Sequence, residues 1–345
     1  MFENFKAWYA RLVAGIKIRF AGWLRRKKLI ARGPWLFGEH RESSGRLVFA
    51  PLISPKRDYR LYFPAGHREG ERLPLIVMLH GCKQDSESFA AGTRINLLAD
   101  RARFLVLYPE QARLANPYYC WNWFDPSNND GNGEVAIIAG MVREAAKQHN
   151  VDPTRIYVAG LSAGGALASA LASCYADLFA ACAVHSGLMF QAASSPAAAL
   201  PAMQNGSERD PEAAGESAYK ISGDKVHAMP VFVIHGDADG TVHPVNAEQI
   251  IAQFLAMNRH ALENNGPLDT STTKTIEKTN GSGYRYEIRD YGSEDVTLLR
   301  HVIVKGMGHA WSGGNPNYPY NDPRGPDASE MMVDFFARHR REKYP

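Results

Sequence analysis

Short, continuous apolar runs alternate along the chain with longer segments whose apolar residues recur at helical spacing. The runs predict buried strands at residues 75–79, 104–107, 156–159, 181–184, 231–234 and 301–304. The longer segments predict helices at residues 87–101, 134–149, 163–176, 246–257 and 327–341. This alternation is typical of an α/β fold, in which helices wrap a mostly parallel sheet.

Four segments depart from the alternation. Residues 47–49 and 59–63 precede it and predict edge strands. Residues 190–225 and 258–283 interrupt it and are rich in Gly, Pro, Asn, Ser and Thr. We expect these two segments to leave the rim of the sheet, where lids and binding loops are found, and 190–225 is the candidate lid.

The first 32 residues form a distinct segment. Their aromatic and aliphatic residues recur at helical spacing, and they carry nine Lys or Arg residues against one acidic residue. This pattern predicts an amphipathic helix on an anionic or apolar surface, such as a membrane or a lipid granule. The alternative is an extension that frays or packs on the rest of the chain. We assign residues 1–40 to this extension and 41–345 to one α/β domain.

The same segment does not match a secretory signal. Arg11, Lys17 and Arg19 interrupt every apolar stretch that could serve as the core of a signal peptide. No stretch elsewhere reaches the 18 apolar residues of a membrane-spanning helix. The expected location is therefore cytoplasmic or at the surface of a granule or membrane, with contact through residues 1–32.

Composition and charge exclude several classes of protein. The chain has 345 residues, of which 45% are hydrophobic and 22% charged, so it is neither disordered nor fibrous. Four cysteines are too few for a disulfide-rich scaffold. Beyond residue 32 there are 30 basic and 35 acidic residues, so the body lacks the positive charge that nucleic-acid binding needs.

The strongest chemical signal is the segment Gly-Leu-Ser-Ala-Gly at residues 160–164. It directly follows a predicted strand and directly precedes a predicted helix. In that context G-x-S-x-G predicts a nucleophile elbow, a strained turn that projects the Ser162 hydroxyl from the sheet. The flanking glycines fit positions where a Cβ would collide with the neighbouring strand and helix.

A nucleophilic serine needs a base and an acidic residue that orients the base. His309 follows the predicted strand 301–304, and Asp237 and Asp239 follow the strand 231–234, which gives the chain order Ser, Asp, His. We favour Asp239 because it lies further into its loop, whereas Asp237 fits a turn-capping role. The choice between the two aspartates stays open at this stage.

The same chemistry requires two backbone N–H groups that stabilise an oxyanion. One is that of Ala163, directly after the serine, and the other is predicted at Cys82, in the loop after strand 75–79. No H-E-x-x-H spacing exists, and the acidic stretch at residues 125–134 fails the spacing of a calcium loop. We therefore expect neither a metal site nor a cofactor.

Five segments carry a resemblance to a known family, in this order along the chain: L-H-G-C-K-Q (79–84), C-W-N-W-F (120–124), G-L-S-A-G (160–164), H-G-D-A-D-G-T-V (235–242) and G-M-G-H-A-W-S-G-G (306–314). Together they resemble the polyhydroxybutyrate (PHB) depolymerase family of esterases, which belongs with carbohydrate esterase family 1, the family of feruloyl and acetylxylan esterases. The resemblance covers about residues 46–340. It implies the α/β-hydrolase fold.

The resemblance also implies roles for single residues. It puts Ser162, Asp239 and His309 in a catalytic triad, with Cys82 and Ala163 in the oxyanion hole. It further suggests a disulfide between Cys82 and Cys120, while Cys174 and Cys182 fit as buried packing residues. Three aromatic residues are candidates for the substrate pocket, with core packing as the alternative: Trp121, Trp123 and Trp311.

The leading hypothesis is a serine carboxylic-ester hydrolase that acts on hydroxyalkanoate oligoesters. Feruloyl or acetyl esters of sugars are the alternative substrates, and a peptidase or thioesterase is the next enzymatic alternative. Many members of the family are secreted, but the basic extension and the lack of a polymer-binding module argue against attack on extracellular crystalline polymer. A hypothesis of another class is a non-catalytic protein that binds a surface through its N-terminal helix.

Overall fold

The computed structural model describes residues 31–223, 227–262, 272–279, 281, 283–293 and 296–341. The compact unit that carries the fold begins at Arg32. The amphipathic helix predicted in the N-terminal segment lies outside the described residues. None of the described helices combines the length and the apolar character needed to span a bilayer.

A ten-stranded sheet forms the centre of the molecule. In chain order its strands are β1 (Trp35–Arg41), β2 (Lys56–Tyr62), β3 (Leu75–Leu79), β4 (Leu105–Pro109), β5 (Ile156–Leu161), β6 (Ala181–His185), β7 (Val231–Gly236), β8 (Thr272–Thr279), β9 (Arg285–Gly292) and β10 (Thr297–Val304). Their order across the sheet is β1-β2-β4-β3-β5-β6-β7-β10-β9-β8. The six central strands, from β4 to β10, pair in parallel, and the two strands at each end are antiparallel.

Helices connect the parallel strands. They are α1 (Ser86–Thr93), α2 (Ile95–Ala102), α3 (Gly133–Gln148), α4 (Ala163–Cys174), α5 (Pro196–Asn205), α6 (Pro211–Ser222), α7 (Val245–Leu262) and α8 (Ala328–Phe336). A short 3-10 helix at Pro126–Asp130 precedes α3, and the two-residue strands β11 (Trp311–Ser312) and β12 (Asn321–Asp322) form a separate small sheet.

Helices pack on both faces of the sheet. Tyr157 in β5 stacks on Phe336 in α8, with ring centroids 4.6 Å apart. The next residue, Val158, belongs to the core cluster that contains Leu167 and Leu171 of α4. Because successive strand residues point to opposite faces, β5 is covered on both sides, which is why its sequence is a continuous buried run.

The predicted fold class is confirmed, because the sheet is mostly parallel and flanked by helices. The six predicted buried strands are all present, although β10 begins four residues earlier than the apolar run. The predicted helix 87–101 is divided into α1 and α2 at Arg94, whose φ of 58° is left-handed and ends α1.

The predicted edge of the sheet needs correction. Residues 47–49 form no strand. Instead, the N–H groups of Val48 and Phe49 donate to the Asp125 carboxylate at 3.0 and 2.9 Å. The predicted strand 59–63 is present as β2, but β1 lies outside it and is the true edge. The sequence gives no signal for β1, because its residues alternate between exposed and half-buried and form no apolar run.

The two interrupting segments contain regular structure. Segment 190–225 holds α5 and α6, each with Pro at the start and with N-caps at Ser195 and Asp210. Segment 258–283 holds the end of α7 and the edge strand β8. β8 reads TTKTIEKT, and an edge strand of this polar composition has no apolar run by which it could be predicted. That 190–225 acts as a lid stays a prediction.

Candidate active site

Ser162 lies at the sharp turn between β5 and α4. Its φ of 58° and ψ of −122° are strained for a residue with a side chain, and its N–H donates to the His185 carbonyl at 2.9 Å. A Cβ at Gly160 would lie 2.2 Å from the Gly164 oxygen, and a Cβ at Gly164 would lie 2.2 Å from the Leu79 oxygen. Both glycines of the motif are therefore needed for the strand, turn and helix to pack this closely.

Three side chains from different loops meet at this turn. His309 Nε2 lies 3.0 Å from Ser162 Oγ, and His309 Nδ1 lies 2.7 Å from Asp239 Oδ2. The serine directly follows β5, the aspartate follows β7 and the histidine follows β10. The carboxyl ends of parallel strands share one edge of the sheet, which explains why residues up to 147 positions apart come together.

Asp239 is buried and held in one orientation. Its Oδ1 accepts the N–H groups of Thr241 and Val242, both at 2.9 Å. Burial raises the pKa of this carboxyl, but hydrogen bonds from His235 and His309 outweigh burial and hold the pKa well below its ordinary value. Asp239 is therefore ionised over the whole neutral range and can hold the His309 ring in one tautomer.

Asp237 has a different environment. Its carboxylate accepts the N–H of Gly306 at 2.6 Å and lies 3.6 Å from the Lys305 ammonium. These contacts fasten the end of β10 to the loop after β7. The structure thus brings Asp239, and not Asp237, to His309.

The loop after β3 lies against the same turn. A Cβ at Gly81 would come within 3.6 Å of the Ser162 Cβ, and the Gly81 N–H donates to Gln84 Oε1 at 2.9 Å. Within the described part of the chain, the N–H groups of Cys82 and Ala163 donate to no protein acceptor. Both groups are therefore free to bind an oxygen of a ligand.

A disulfide ties this loop to a second segment. Cys82 is joined to Cys120, with their Cα atoms 4.2 Å apart. Beside the bond, the Lys83 N–H donates to the Tyr118 carbonyl at 2.7 Å. The other two cysteines, Cys174 and Cys182, are free and buried in the core.

Beneath the disulfide lies a buried ion pair that the sequence analysis missed. The Glu134 carboxylate accepts a hydrogen bond from Arg57 Nη2 at 2.7 Å, and both side chains are almost completely buried. It also accepts the Asn122 N–H at 2.6 Å and Gln111 Nε2 at 2.5 Å. Gln111 Nε2 in turn lies 2.8 Å from the Cys120 carbonyl. The sequence pattern places Glu134 at the start of a predicted helix, and nothing in the local sequence points to Arg57, 77 residues earlier.

The three candidate pocket aromatics differ in exposure. Trp121 is 0% exposed and its indole N–H donates to the His80 carbonyl at 3.1 Å. Trp311 is 2% exposed and stacks on His185, with ring centroids 5.0 Å apart. The structure therefore gives these two residues a packing role. Trp123 is 7% exposed and packs edge-on against Phe124, and its pocket role stays a prediction.

Two buried histidines behind the serine were also not predicted as part of the site. His185 Nε2 accepts the Ser312 N–H at 2.9 Å, and burial holds the pKa of His185 well below its ordinary value. His235 Nε2 lies 2.8 Å from the Val242 carbonyl and 3.4 Å from Asp239 Oδ2. The neutral imidazole of His185 supports the turn by packing and hydrogen bonding. In the described ranges, no three His, Cys, Asp or Glu side chains are grouped as a metal site would require.

Comparison with known proteins gives a consistent result. The family described as "Esterase PHB depolymerase" matches residues 57–276. Poly(3-hydroxyalkanoate) depolymerase C of Paucimonas lemoignei is 33% identical over 239 residues, which are 68% of this chain and 54% of the depolymerase. This chain thus spans about half the length of that relative.

Two further proteins extend the comparison. Feruloyl esterase B of Thermothelomyces thermophilus is 29% identical over 246 residues, which are 68% of this chain and 78% of that enzyme. The structure of an acetyl xylan esterase from Aspergillus awamori superposes with a TM-score of 0.67 at 19% identity, covering 88% of this chain and 99% of that one. This structural similarity shows that the two proteins share one fold.

Proposed function

Because the chain belongs to the PHB depolymerase family of esterases, we propose that it is a serine carboxylic-ester hydrolase that works through an acyl-enzyme. The observation that carries the proposal is the hydrogen-bonded series Ser162, His309 and Asp239. Its order and geometry are those of a nucleophile, a general base and the acid that orients the base.

The proposed reaction has two halves. In the first, Ser162 Oγ attacks the ester carbonyl while His309 Nε2 takes its proton, and the alcohol then leaves with that proton. In the second, water attacks the acyl-enzyme, again with His309 as base, and releases the carboxylic acid and the free serine. The N–H groups of Cys82 and Ala163 would stabilise the oxyanion formed in each half.

The substrate class we propose is hydroxyalkanoate oligoesters. This choice is supported by the match to the depolymerase of Paucimonas lemoignei, which has the higher identity of the two relatives compared. Feruloyl or acetyl esters of sugars are the second candidate, supported by the match to feruloyl esterase B over most of that enzyme's length.

A panel of substrates tests the proposal. We expect the purified protein to hydrolyse p-nitrophenyl butyrate and a 3-hydroxybutyrate dimer. The corresponding amide, butyryl p-nitroanilide, should stay intact. A faster reaction with methyl ferulate than with the dimer would select the second candidate. An organophosphate should inactivate the enzyme and add one phosphoryl group to the peptide that contains Ser162. A protein that is neither labelled nor active would contradict the proposal and favour a non-catalytic, surface-binding role.

The two aspartates give a paired test of the triad. We expect Asp239→Asn to lower kcat by about 10⁴-fold, because the amide stabilises the wrong tautomer of His309 and cannot balance its positive charge. Asp237→Asn should retain kcat within a few-fold, since the Asp237 carboxylate contacts Gly306 and Lys305, whereas His309 is held by Asp239. Steady-state kinetics with p-nitrophenyl butyrate distinguishes the two variants. The reverse ranking would assign the role to Asp237.

A further inference from the structure

The first residue of the segment H-G-D-A-D-G-T-V has no part in the proposed triad, yet it lies directly behind it. His235 is the penultimate residue of β7 and is 1% exposed. Its Nε2 lies 2.8 Å from the Val242 carbonyl oxygen and 3.4 Å from Asp239 Oδ2. His309 Nδ1 lies 2.7 Å from the same oxygen of Asp239. Two imidazole rings therefore converge on one carboxylate oxygen.

The contacts of His235 determine which of its ring nitrogens carries the proton. The Val242 carbonyl can only accept a hydrogen bond, so Nε2 of His235 carries the hydrogen and donates it. Nδ1 is buried and, within the ranges that the structure describes, has no hydrogen-bond partner. A second proton would place an N–H group there without an acceptor, which is costly in a buried position. His309 differs because its Nε2 faces Ser162 Oγ. The proton moved in catalysis is therefore expected on His309, while His235 remains a hydrogen-bond donor.

The hydrogen bond from His235 also closes the turn that holds Asp239. The N–H groups of Thr241 and Val242 both donate to Asp239 Oδ1 at 2.9 Å, and the carbonyl of the same Val242 accepts from His235. The backbone of the turn thus fixes Oδ1, and His235 fixes the turn. The other oxygen, Oδ2, is left between the rings of His235 and His309.

The neighbouring histidines do not compete for the charge of Asp239. His185 of β6 and His301 of β10 both interact electrostatically with His235. Burial holds the pKa of His185 well below its ordinary value and lowers the pKa of His301 to about 3, so both rings are neutral at neutral pH. The charged side chains that interact with His301 are Glu248, Arg289 and Lys305. The ionised group that faces both His235 and His309 is Asp239.

We propose that His235 is a positioning residue of the active site, which holds the Asp239 carboxylate toward His309 and withdraws part of its negative charge. The inference rests on the proposed ester hydrolysis and adds a residue to it. A donor on Oδ2 makes the carboxylate a weaker partner for a positive charge on His309. Without that donor, His309 would take up a proton at a higher pH, and the enzyme would lose its free base earlier on acidification.

His235→Met and His235→Gln test this role with side chains of equal length, of which only glutamine has an N–H donor. The measurement is the pH dependence of kcat/KM for p-nitrophenyl butyrate, whose acid limb reports protonation of the base in the free enzyme. We expect the midpoint of that limb to rise by about half to one pH unit in His235→Met, because the carboxylate loses one long hydrogen bond. The plateau of kcat should fall by about three- to tenfold, since Asp239 is held less firmly. His235→Gln should restore both values toward those of the parent.

His301→Met is the matched control. His301 is 2% exposed, lies on the strand next to β7 and, like His235, has a buried Nδ1 that finds no hydrogen-bond partner in the described part of the chain. It takes no part in the hydrogen bonds of the triad, so its variant should keep the acid limb of the parent. The melting temperature of each variant separates lost folding from altered chemistry. If His235→Met does not fold, His235→Asn replaces it, because its amide is one methylene shorter than that of glutamine and does not reach Oδ2.

The outcomes separate the two proposals. A folded, active His235→Met whose acid limb is unchanged or moves to lower pH would overturn the positioning role and leave the esterase intact. An equal upward shift in His301→Met would overturn it as well, because the shift would then reflect a general disturbance of the core. A parent protein that hydrolyses no ester would overturn the proposed function itself.

Discussion

Replacement of Ser162 by alanine is expected to lower kcat for p-nitrophenyl butyrate by about 10⁵- to 10⁶-fold, which corresponds to about 7–8 kcal/mol of barrier. Without the hydroxyl, no acyl-enzyme can form, and His309 has no proton to take. The backbone should not change, because the strained turn is imposed by the packing of Gly160 and Gly164 and by the hydrogen bond to His185. Measurement of kcat together with the melting temperature separates lost chemistry from lost folding.

Ser169→Ala is the matched control for this variant. Ser169 is a buried serine of α4, two turns after Ser162, and its Oγ lies 3.4 Å from Gln253 Oε1. The control removes a serine hydroxyl from the helix that directly follows Ser162 and leaves the triad intact, so its turnover should stay near that of the parent. A Ser162→Ala protein that is folded and retains substantial turnover would refute the acyl-enzyme.

The second large effect is expected at the buried pair of Arg57 and Glu134. Glu134→Gln removes the charge that balances Arg57, while both side chains stay in an environment with almost no water. An uncompensated buried charge costs about 3–5 kcal/mol of unfolding free energy. Urea denaturation should show this loss as a lower midpoint with an unchanged slope.

Two further variants test whether the loss of stability in Glu134→Gln comes from the buried charge of Arg57. The double variant Arg57→Met with Glu134→Leu should be less destabilised than the sum of the single changes, because it removes both charges. Glu330→Gln breaks an ion pair to Arg101 in which both side chains are about half exposed or more, and it should cost at most about 1 kcal/mol. An equal loss of unfolding free energy in Glu134→Gln and Glu330→Gln would show that burial does not strengthen the pair of Arg57 and Glu134.

The strands and residues that could be predicted from the sequence share one property, a strong local signal. β3 and β5 are continuous apolar runs because both of their faces are buried, and Ser162 lies in a motif whose glycines are required by close packing. His309 and Asp239 could be placed because parallel strands bring their carboxyl ends to one edge. Order along the chain was sufficient to predict His309 and to limit the acid to Asp237 or Asp239, but the contact between Asp239 and His309 is seen only in the structure.

The features that were missed depend on long-range contacts or on polar edges. β1 and β8 lie at the two ends of the sheet, where neither strand needs an apolar run. Glu134 and Arg57 are identified as partners only when the fold brings them together across 77 residues. A residue can line a substrate pocket only if its side chain is exposed to that pocket, and sequence composition does not determine exposure. Trp121 and Trp311, which were pocket candidates, are buried.

The disulfide links the redox state of two thiols to the conformation of the loop after β3. The folded chain holds Cys82 and Cys120 side by side, at an effective concentration that the unfolded chain cannot match across 38 residues. By thermodynamic reciprocity, the bond favours the folded loop by the same factor by which the folded loop favours the bond. The disulfide and its stabilisation of the folded loop persist in an oxidising compartment. Both are lost where glutathione keeps thiols reduced. The loop after β3 therefore has two covalent states: one is tethered at Cys82 by the disulfide, and the other keeps the hydrogen bond from the Lys83 N–H to the Tyr118 carbonyl but not the tether.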